Sequence, residues 1–145
     1  MTRPQLIALA ALAGLMLPAG AALAQSAPTH SVTLTFETAE ARGAVMVALF
    51  DSEASYGGGE PVGQARVDIA AGDHTATFDA LPAGDYAVRA FHDVNGDGQM
   101  NFNPFGIPVE PYAFSNNAVG HMGPAGWDRA RFAVAGDVAQ TISLR

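Results

Sequence analysis

The feature that most constrains the fold is a two-residue alternation of apolar and polar side chains. In SVTLTFE, Val32, Leu34 and Phe36 alternate with polar residues. Successive side chains of a strand point to opposite faces, so this pattern is typical of a strand with one buried face. Similar runs recur along the chain and are separated by turns that contain Gly-Asp pairs. The pattern predicts an all-β protein.

About seven runs are expected to form strands. They are SVTLTFE (31–37), GAVMVALF (43–50), QARVDIA (64–70), HTATFDA (74–80), DYAVRAF (85–91), ARFAV (130–134) and VAQTISL (138–144). The second run is continuously apolar and indicates a central strand. No run after the first two dozen residues has sustained helical periodicity, although DSEASY (51–56) could form one helical turn capped by Asp51 or Ser52. Strands at this spacing predict a single Greek-key β-sandwich, either immunoglobulin-like or transthyretin-like.

The stretch LPAGDY (81–86) has the pattern of a tyrosine corner. In that motif, a tyrosine at the start of a strand donates a hydrogen bond from its phenol to upstream backbone. The alternative is a proline-glycine turn followed by an ordinary strand tyrosine. Both interpretations give Tyr86 a structural role.

The N-terminus has the pattern of a secretory signal peptide. Arg3 precedes the apolar run at 6–22, and the small residues at 22–24 suit cleavage before Gln25. A membrane anchor is the alternative, but the run is short for a span. We therefore expect a cleaved signal peptide at 1–24, a single domain at 25–145, a periplasmic or secreted location, and no membrane span after cleavage.

Composition limits the function classes. The chain has no cysteine, so an exported domain would depend on packing rather than disulfides. All seven basic residues are arginines, one of them is Arg3, and fourteen residues are acidic. An acidic domain repels nucleic acid and attracts cations, so we expect no nucleic-acid binding.

The stretch from 93 to 127 departs from the strand pattern. It is rich in Asn, Gly, Pro and aromatic residues, and loops of this length are uncommon in compact domains. We expect an ordered loop that packs over one end of the sandwich. The aromatic residues expected to be buried beneath it are Phe102, Phe105, Tyr112, Phe114 and Trp127. The alternative is an aromatic platform for a carbohydrate.

Three blocks carry a resemblance to a known family. LPAGDYAVRAFHDVNGDGQMN (81–101), FGIPVEPYAFSNNA (105–118) and GPAGWDRARF (123–132) together resemble the bacterial domain-of-unknown-function family 2141. The resemblance implies an exported β-sandwich. It implies no catalytic residues, because no biochemical role of that family is established.

The loop begins with half of an EF-hand-type calcium motif. Asp93, Asn95 and Asp97 occupy alternate positions before a glycine, as in the first half of that motif. The twelfth position is Pro104 instead of a bidentate glutamate, which excludes an EF-hand proper. The candidate calcium ligands are Asp93, Asn95, Asp97, Gln99 through its carbonyl, and Glu110.

A metal-free turn explains the same residues and is the favoured of the two interpretations. Asn, Asp and Gly accept positive φ and form Asx-turns without a cation. In this case Asp93 pairs with Arg89 or caps a backbone amide. His92 continues the inward phase of its strand and is expected to be a buried, hydrogen-bonded imidazole. Both interpretations of the loop stay open at this point.

Catalytic patterns are weak. HExxH and GxSxG are absent, and the chain contains no cysteine or lysine nucleophile. Ser115 could meet His121 and an Asp as a triad, and Asp93 could face Glu110 as in a glycosidase, but no spacing fixes either arrangement. We expect a non-catalytic binding or structural module with a protein or carbohydrate partner. The alternative is a hydrolase acting on glycans or similar cell-envelope polymers through Asp93, Asp97 or Glu110.

Overall fold

A computed structural model describes residues 26–145, so the predicted signal peptide lies outside the described residues. The strands and helices are β1 Thr29–Glu37, β2 Ala44–Phe50, α1 Glu53–Tyr56, β3 Gly63–Asp68, β4 Thr75–Pro82, β5 Gly84–Asp93, β6 Tyr112–Phe114, α2 Trp127–Ala130, β7 Phe132–Val134 and β8 Val138–Ser143. Within this part of the chain, neither helix has the length and apolar character needed to cross a bilayer.

The strands form two sheets. The smaller sheet has the order β4-β1-β8, in which β1 is antiparallel to β4 and parallel to β8. The larger sheet has the order β3-β2-β5-β6, and β7 pairs with the start of β5. These sheets confirm the predicted all-β sandwich. The described residues form eight strands rather than about seven, because β6 lies within the stretch expected to be a loop.

The main core lies between the sheets and uses the predicted inward residues. From β1 it takes Val32, Leu34 and Phe36, each no more than 1% exposed. The larger sheet contributes Val45, Val47 and Leu49 of β2, Val67 of β3, and Val88 and Ala90 of β5. A fully buried residue of this kind contributes about 1.5–3 kcal/mol to stability. The two-residue alternation is therefore explained by burial against the opposite sheet.

The tyrosine corner and the predicted helical turn are both present. The phenol of Tyr86 donates a hydrogen bond of 2.9 Å to the carbonyl of Pro82, which fixes the chain where it passes from β4 to β5. At the start of α1, the hydroxyl of Ser52 accepts a hydrogen bond of 3.3 Å from the amide of Ser55. Ser52, rather than Asp51, is the N-cap.

The prediction for His92 is confirmed in its burial and only half confirmed in its hydrogen bonding. The imidazole is 1% exposed, and its Nε2 lies 2.6 Å from the carbonyl of Arg42. That distance requires Nε2 to be the donor. The buried Nδ1 has no hydrogen-bond partner among the described residues.

Part of the outer face of the larger sheet is also apolar. Because β2 is apolar at consecutive positions, it presents apolar side chains to both sides of the sheet. At one end of this outer face, the short helices cover a second buried cluster of Phe50, Tyr56, Ala87, Phe114, Ala125 and Ala130. The rest of the face is not covered by either helix, and it forms the floor of the site described below.

Candidate functional site

The Asp93 loop, residues 93–101, is held by a buried carboxylate at the end of β5. Asp93 is 2% exposed, and its Oδ1 accepts hydrogen bonds from the amides of Gly96 at 2.7 Å and Asp97 at 3.1 Å. Its Oδ2 accepts one from the amide of Gly98 at 2.8 Å. Asp93 therefore caps backbone amides, which is one of the two contacts expected for it in a metal-free turn.

The other alternative, an ion pair between Asp93 and Arg89, is not formed. The two residues are four positions apart on one strand, and a strand rises about 3.3 Å per residue, so their backbones are about 13 Å apart. They point to the same side of the sheet but cannot reach each other.

The remaining polar side chains of the loop bond to one another. Oδ2 of Asp97 accepts hydrogen bonds from the side-chain amides of Asn95 at 3.1 Å and Asn101 at 2.9 Å. Its Oδ1 accepts a bond of 2.9 Å from the amide of Gln99. The bond from Asn101, followed by that from Gln99, lowers the pKa of Asp97 below its ordinary value. This network stabilises the charged carboxylate and orders the loop.

Glu110 holds the Asp93 loop from its other side. It is 8% exposed, and its two oxygens accept hydrogen bonds from the amides of Val94 at 3.0 Å and Asn101 at 3.2 Å. In the described part of the chain, no three His, Cys, Asp or Glu side chains are grouped as metal ligands would be. The hydrogen bonds are those expected of a metal-free turn, and the calcium site stays a prediction.

The wall hairpin, residues 101–109, follows the Asp93 loop. Oδ1 of Asn103 accepts hydrogen bonds from the amides of Phe105 at 2.9 Å and Ile107 at 3.0 Å, and Phe102 bridges to Pro108. Phe102 and Ile107 are each 59% exposed, and Phe105 is 87% exposed. The wall hairpin therefore leaves its apolar side chains exposed to solvent instead of burying them.

The expectation that the aromatic residues of the loop are buried is wrong for three of the five. Phe114 is 6% exposed, and Trp127 is partly buried against the second cluster. Phe102, Phe105 and Tyr112 are exposed. An apolar side chain favours contact with other apolar groups, but these groups can belong to a ligand as well as to the same protein.

An open groove lies between the wall hairpin and the outer face of the larger sheet. Its floor includes Met46 and Ala48 of β2 and Phe91 of β5. The segment 122–124 also lines it, and its volume is about 1030 Å³. Small-molecule sites typically measure roughly 300–1,000 Å³ and are mostly apolar, so the groove has the size and character of a ligand site.

The groove is lined by two arginines and by no acidic residue. Arg66 pairs with Asp68 at 3.3 Å, whereas no acidic side chain of the described residues lies within salt-bridge distance of Arg89. The guanidinium of Arg89 lies 4.2 Å from the ring centroid of Tyr56, and its buried Nε has no hydrogen-bond partner. Burial raises the pKa of Tyr56, and a hydrogen bond from Arg89, followed by the charge of Arg89, opposes that rise. Arg89 therefore carries an uncompensated positive charge at the groove.

Ser115 has a structural position. It is fully buried, its hydroxyl accepts a hydrogen bond from the amide of Val88 at 2.8 Å, and it donates one to the carbonyl of Ala130 at 2.5 Å. Its proton and its acceptor site are thus both engaged with backbone. His121 lies exposed and makes no hydrogen bond to Ser115.

Sequence reasoning placed the loop and its carboxylates but missed the groove. The signal that could have found it is the phase of two strands. Met46 and Ala48, and likewise Phe91, are apolar at positions that face away from the predicted core. An apolar outward face on both neighbouring strands indicates a second surface that must be covered or bound.

These features define an all-β sandwich with an apolar groove on the outer face of one sheet. Residues 35–143 match the model of the family described as "Uncharacterized protein conserved in bacteria (DUF2141)". Because the match covers most of the chain, the protein belongs to this family, and the resemblance seen in its sequence is confirmed. No curated protein matches the chain.

Proposed function

We propose that this protein is an exported, non-catalytic binding module that takes an apolar ligand in the groove. The observation that carries the proposal is an open apolar volume of about 1030 Å³ on the outer face of the larger sheet. Exposed apolar side chains cluster at it: Phe102, Ile107, Tyr112 and Met122 all line the groove and are 39–98% exposed. Contiguous exposed apolar surface of this kind marks interaction sites on soluble proteins.

The buried carboxylates support a non-catalytic reading. Both oxygens of Asp93 and both oxygens of Glu110 accept hydrogen bonds from backbone amides. A general acid or a nucleophile needs a free oxygen directed at a substrate. In their present contacts Asp93 holds the Asp93 loop, and Glu110 joins that loop to Asn101 at the start of the wall hairpin. These bonds preorganise one side of the groove and lower the cost of ordering it on binding.

A neutral fluorescent probe tests the proposal without any contribution from charge. Nile red should bind the processed protein with a rise in fluorescence, because the groove replaces water around the dye with apolar side chains. The double variant Phe102→Gln/Ile107→Gln should weaken this binding at least about ten-fold, since it removes two apolar walls worth about 1.4 kcal/mol or more.

The matched control is Val62→Gln. Val62 is 50% exposed, close to the exposure of Phe102 and Ile107, but it does not line the groove. The control should bind Nile red as the parent does. The proposal is wrong if the parent does not bind the dye, or if the control and the double variant lose binding equally.

We also propose calcium as a stabiliser of the Asp93 loop. Asp93, Asn95 and Asp97 place several side-chain oxygens in one short turn, with Gln99 and Glu110 as the remaining proposed ligands. Because the carboxylates would have to exchange amide bonds for the cation, we expect weak affinity, about 10⁻⁴–10⁻³ M, as in extracellular modules. Calorimetric titration at millimolar calcium should give binding heat that Asp97→Asn reduces. No heat and no rise in Tm would remove calcium from the account.

A further inference from the structure

We propose that the groove binds a single-chain amphiphile with an anionic head, and that Arg89 receives the head. This inference rests on the proposed function, because it requires the groove to be a ligand site. It adds a charge requirement and a direction: the carboxylate or phosphate of the ligand contacts the Arg89 guanidinium, and the hydrocarbon chain lies on the apolar floor.

The distribution of charge supports an anionic ligand. The whole chain has fourteen acidic residues against seven arginines, so an arbitrary patch would contain more acids than bases. The groove lining has the opposite composition, with Arg66 and Arg89 and no acidic residue. An acidic protein repels anions at long range, so a local positive site in an apolar groove selects anions that can also bury apolar surface.

The surroundings of Arg89 suit ligand binding better than internal pairing. The guanidinium stacks 4.2 Å from the centroid of the Tyr56 ring and 5.8 Å from that of Phe50, which restricts its orientation. Its buried Nε is unpaired within the described part of the chain. An anion bound in the groove would give this guanidinium the acidic partner that it lacks among the described residues. Arginine donates two parallel bonds to carboxylates and phosphates.

The sheet register gives the direction of the chain. On β5, Arg89 lies opposite Ala48 of β2, and two residues further Phe91 lies opposite Met46. From Arg89, the floor therefore runs along Phe91 and Met46 towards the end of β5, and Ile107 of the wall hairpin also lines the groove. A head at Arg89 places a hydrocarbon chain along this apolar path.

The experiment compares ligands that share one chain and differ in the head. Decanoate and decyl phosphate carry the anion, decanol lacks the charge, and acetate and inorganic phosphate lack the chain. Competition with bound Nile red should rank decanoate or decyl phosphate at least ten-fold above decanol, with acetate and inorganic phosphate not competing. The order of decanoate and decyl phosphate identifies which anion is preferred.

Variants test the assignment to Arg89. Arg89→Gln should weaken decanoate about ten-fold, equivalent to about 1.4 kcal/mol, while decanol binding stays within two-fold. Arg89→Lys keeps the charge but cannot donate two parallel hydrogen bonds, so its affinity for decanoate should lie between those of the parent and Arg89→Gln. The matched control is Arg42→Gln, which removes one charge from an arginine that does not line the groove and should leave both affinities unchanged.

The outcomes separate this inference from the proposed function. If decanol and decanoate bind equally and Arg89→Gln affects neither, the groove binds apolar ligands and the anionic head is wrong. If Arg66→Gln weakens decanoate and Arg89→Gln does not, the head is assigned to the wrong arginine. If Nile red does not bind, the proposed function fails first. If the dye binds and neither decanoate nor decyl phosphate displaces it, the anionic amphiphile is wrong and the apolar groove stands. A melting curve of Arg89→Gln within a few degrees of the parent shows that the variant is folded.

Discussion

Replacing Asp93 by alanine should destabilise the protein without removing any buried apolar surface. Asp93 is 2% exposed and accepts hydrogen bonds from the amides of Gly96, Asp97 and Gly98. A hydrogen bond to a charged group contributes about 1.5–3 kcal/mol, so three give an upper limit of about 4.5–9 kcal/mol. Since the three donors lie in an exposed loop, water can replace the carboxylate in part, and we expect a loss of about 2–4 kcal/mol.

That loss is large compared with the total stability of a typical domain, about 5–15 kcal/mol. For a domain of this size it should lower Tm by about 10 °C. Asp93→Asn keeps one acceptor oxygen and should lose about 1–2 kcal/mol. Calorimetry of both variants beside Asp73→Ala measures the effect, because Asp73 is exposed and its side chain makes no hydrogen bond to the described residues. If Asp93→Ala melts within 2 °C of the parent, the claim that this carboxylate holds the loop is refuted.

Tyr86, Ser115 and Asp97 each stabilise the fold through side-chain hydrogen bonds that can be removed one residue at a time. Tyr86→Phe removes the 2.9 Å bond to Pro82 and should cost about 0.5–1.5 kcal/mol in urea unfolding; an unchanged midpoint would show that the corner contributes nothing. Ser115→Ala leaves the buried amide of Val88 without its acceptor and should cost about 1–3 kcal/mol by the same measurement, and a neutral result would contradict the assigned structural role. The pKa of Asp97 is lowered in the folded protein. Its contribution to folding stability is therefore complete above the ordinary aspartate pKa and is lost as the pH falls through the lowered pKa of the folded state. Amide NMR of the Asp93 loop should report this transition in the parent and not in Asp97→Asn, and its persistence in the variant would exclude Asp97 as the cause.

The strands could be predicted from the sequence because their physical cause is local. Val32, Leu34 and Phe36 alternate with polar residues, and the structure buries all three against the opposite sheet. The tyrosine corner was equally predictable, since Tyr86 and its acceptor Pro82 are only four residues apart. The strand Tyr112–Phe114 was missed because three residues are too few to show a period.

The groove was not predictable in the same way, because it depends on strand order. Arg89 and Phe91 face the same side as Met46 only because β5 lies beside β2, and these residues are distant in the sequence. The exposure of Phe102 and Phe105 was also missed. Their residue types indicate a need for apolar contact, but whether that contact is internal or with a ligand depends on the path of the wall hairpin.

The Asp93 loop and the wall of the groove are connected through Glu110 and Asn101. Glu110 accepts from the amide of Asn101, the residue at which the Asp93 loop ends and the wall hairpin begins. Loosening the loop should therefore displace a wall of the groove. This connection gives the buried carboxylates beside the apolar groove a structural role.

An amide NMR titration of the protein with decanoate tests the position of the binding surface most directly. We expect the largest shift changes on Met46, Arg89, Phe91 and the wall hairpin, which surround the groove, and none on the smaller sheet of β4, β1 and β8. Changes spread over both sheets, or none at saturating ligand, would contradict the claim that the outer face of the larger sheet is the binding surface.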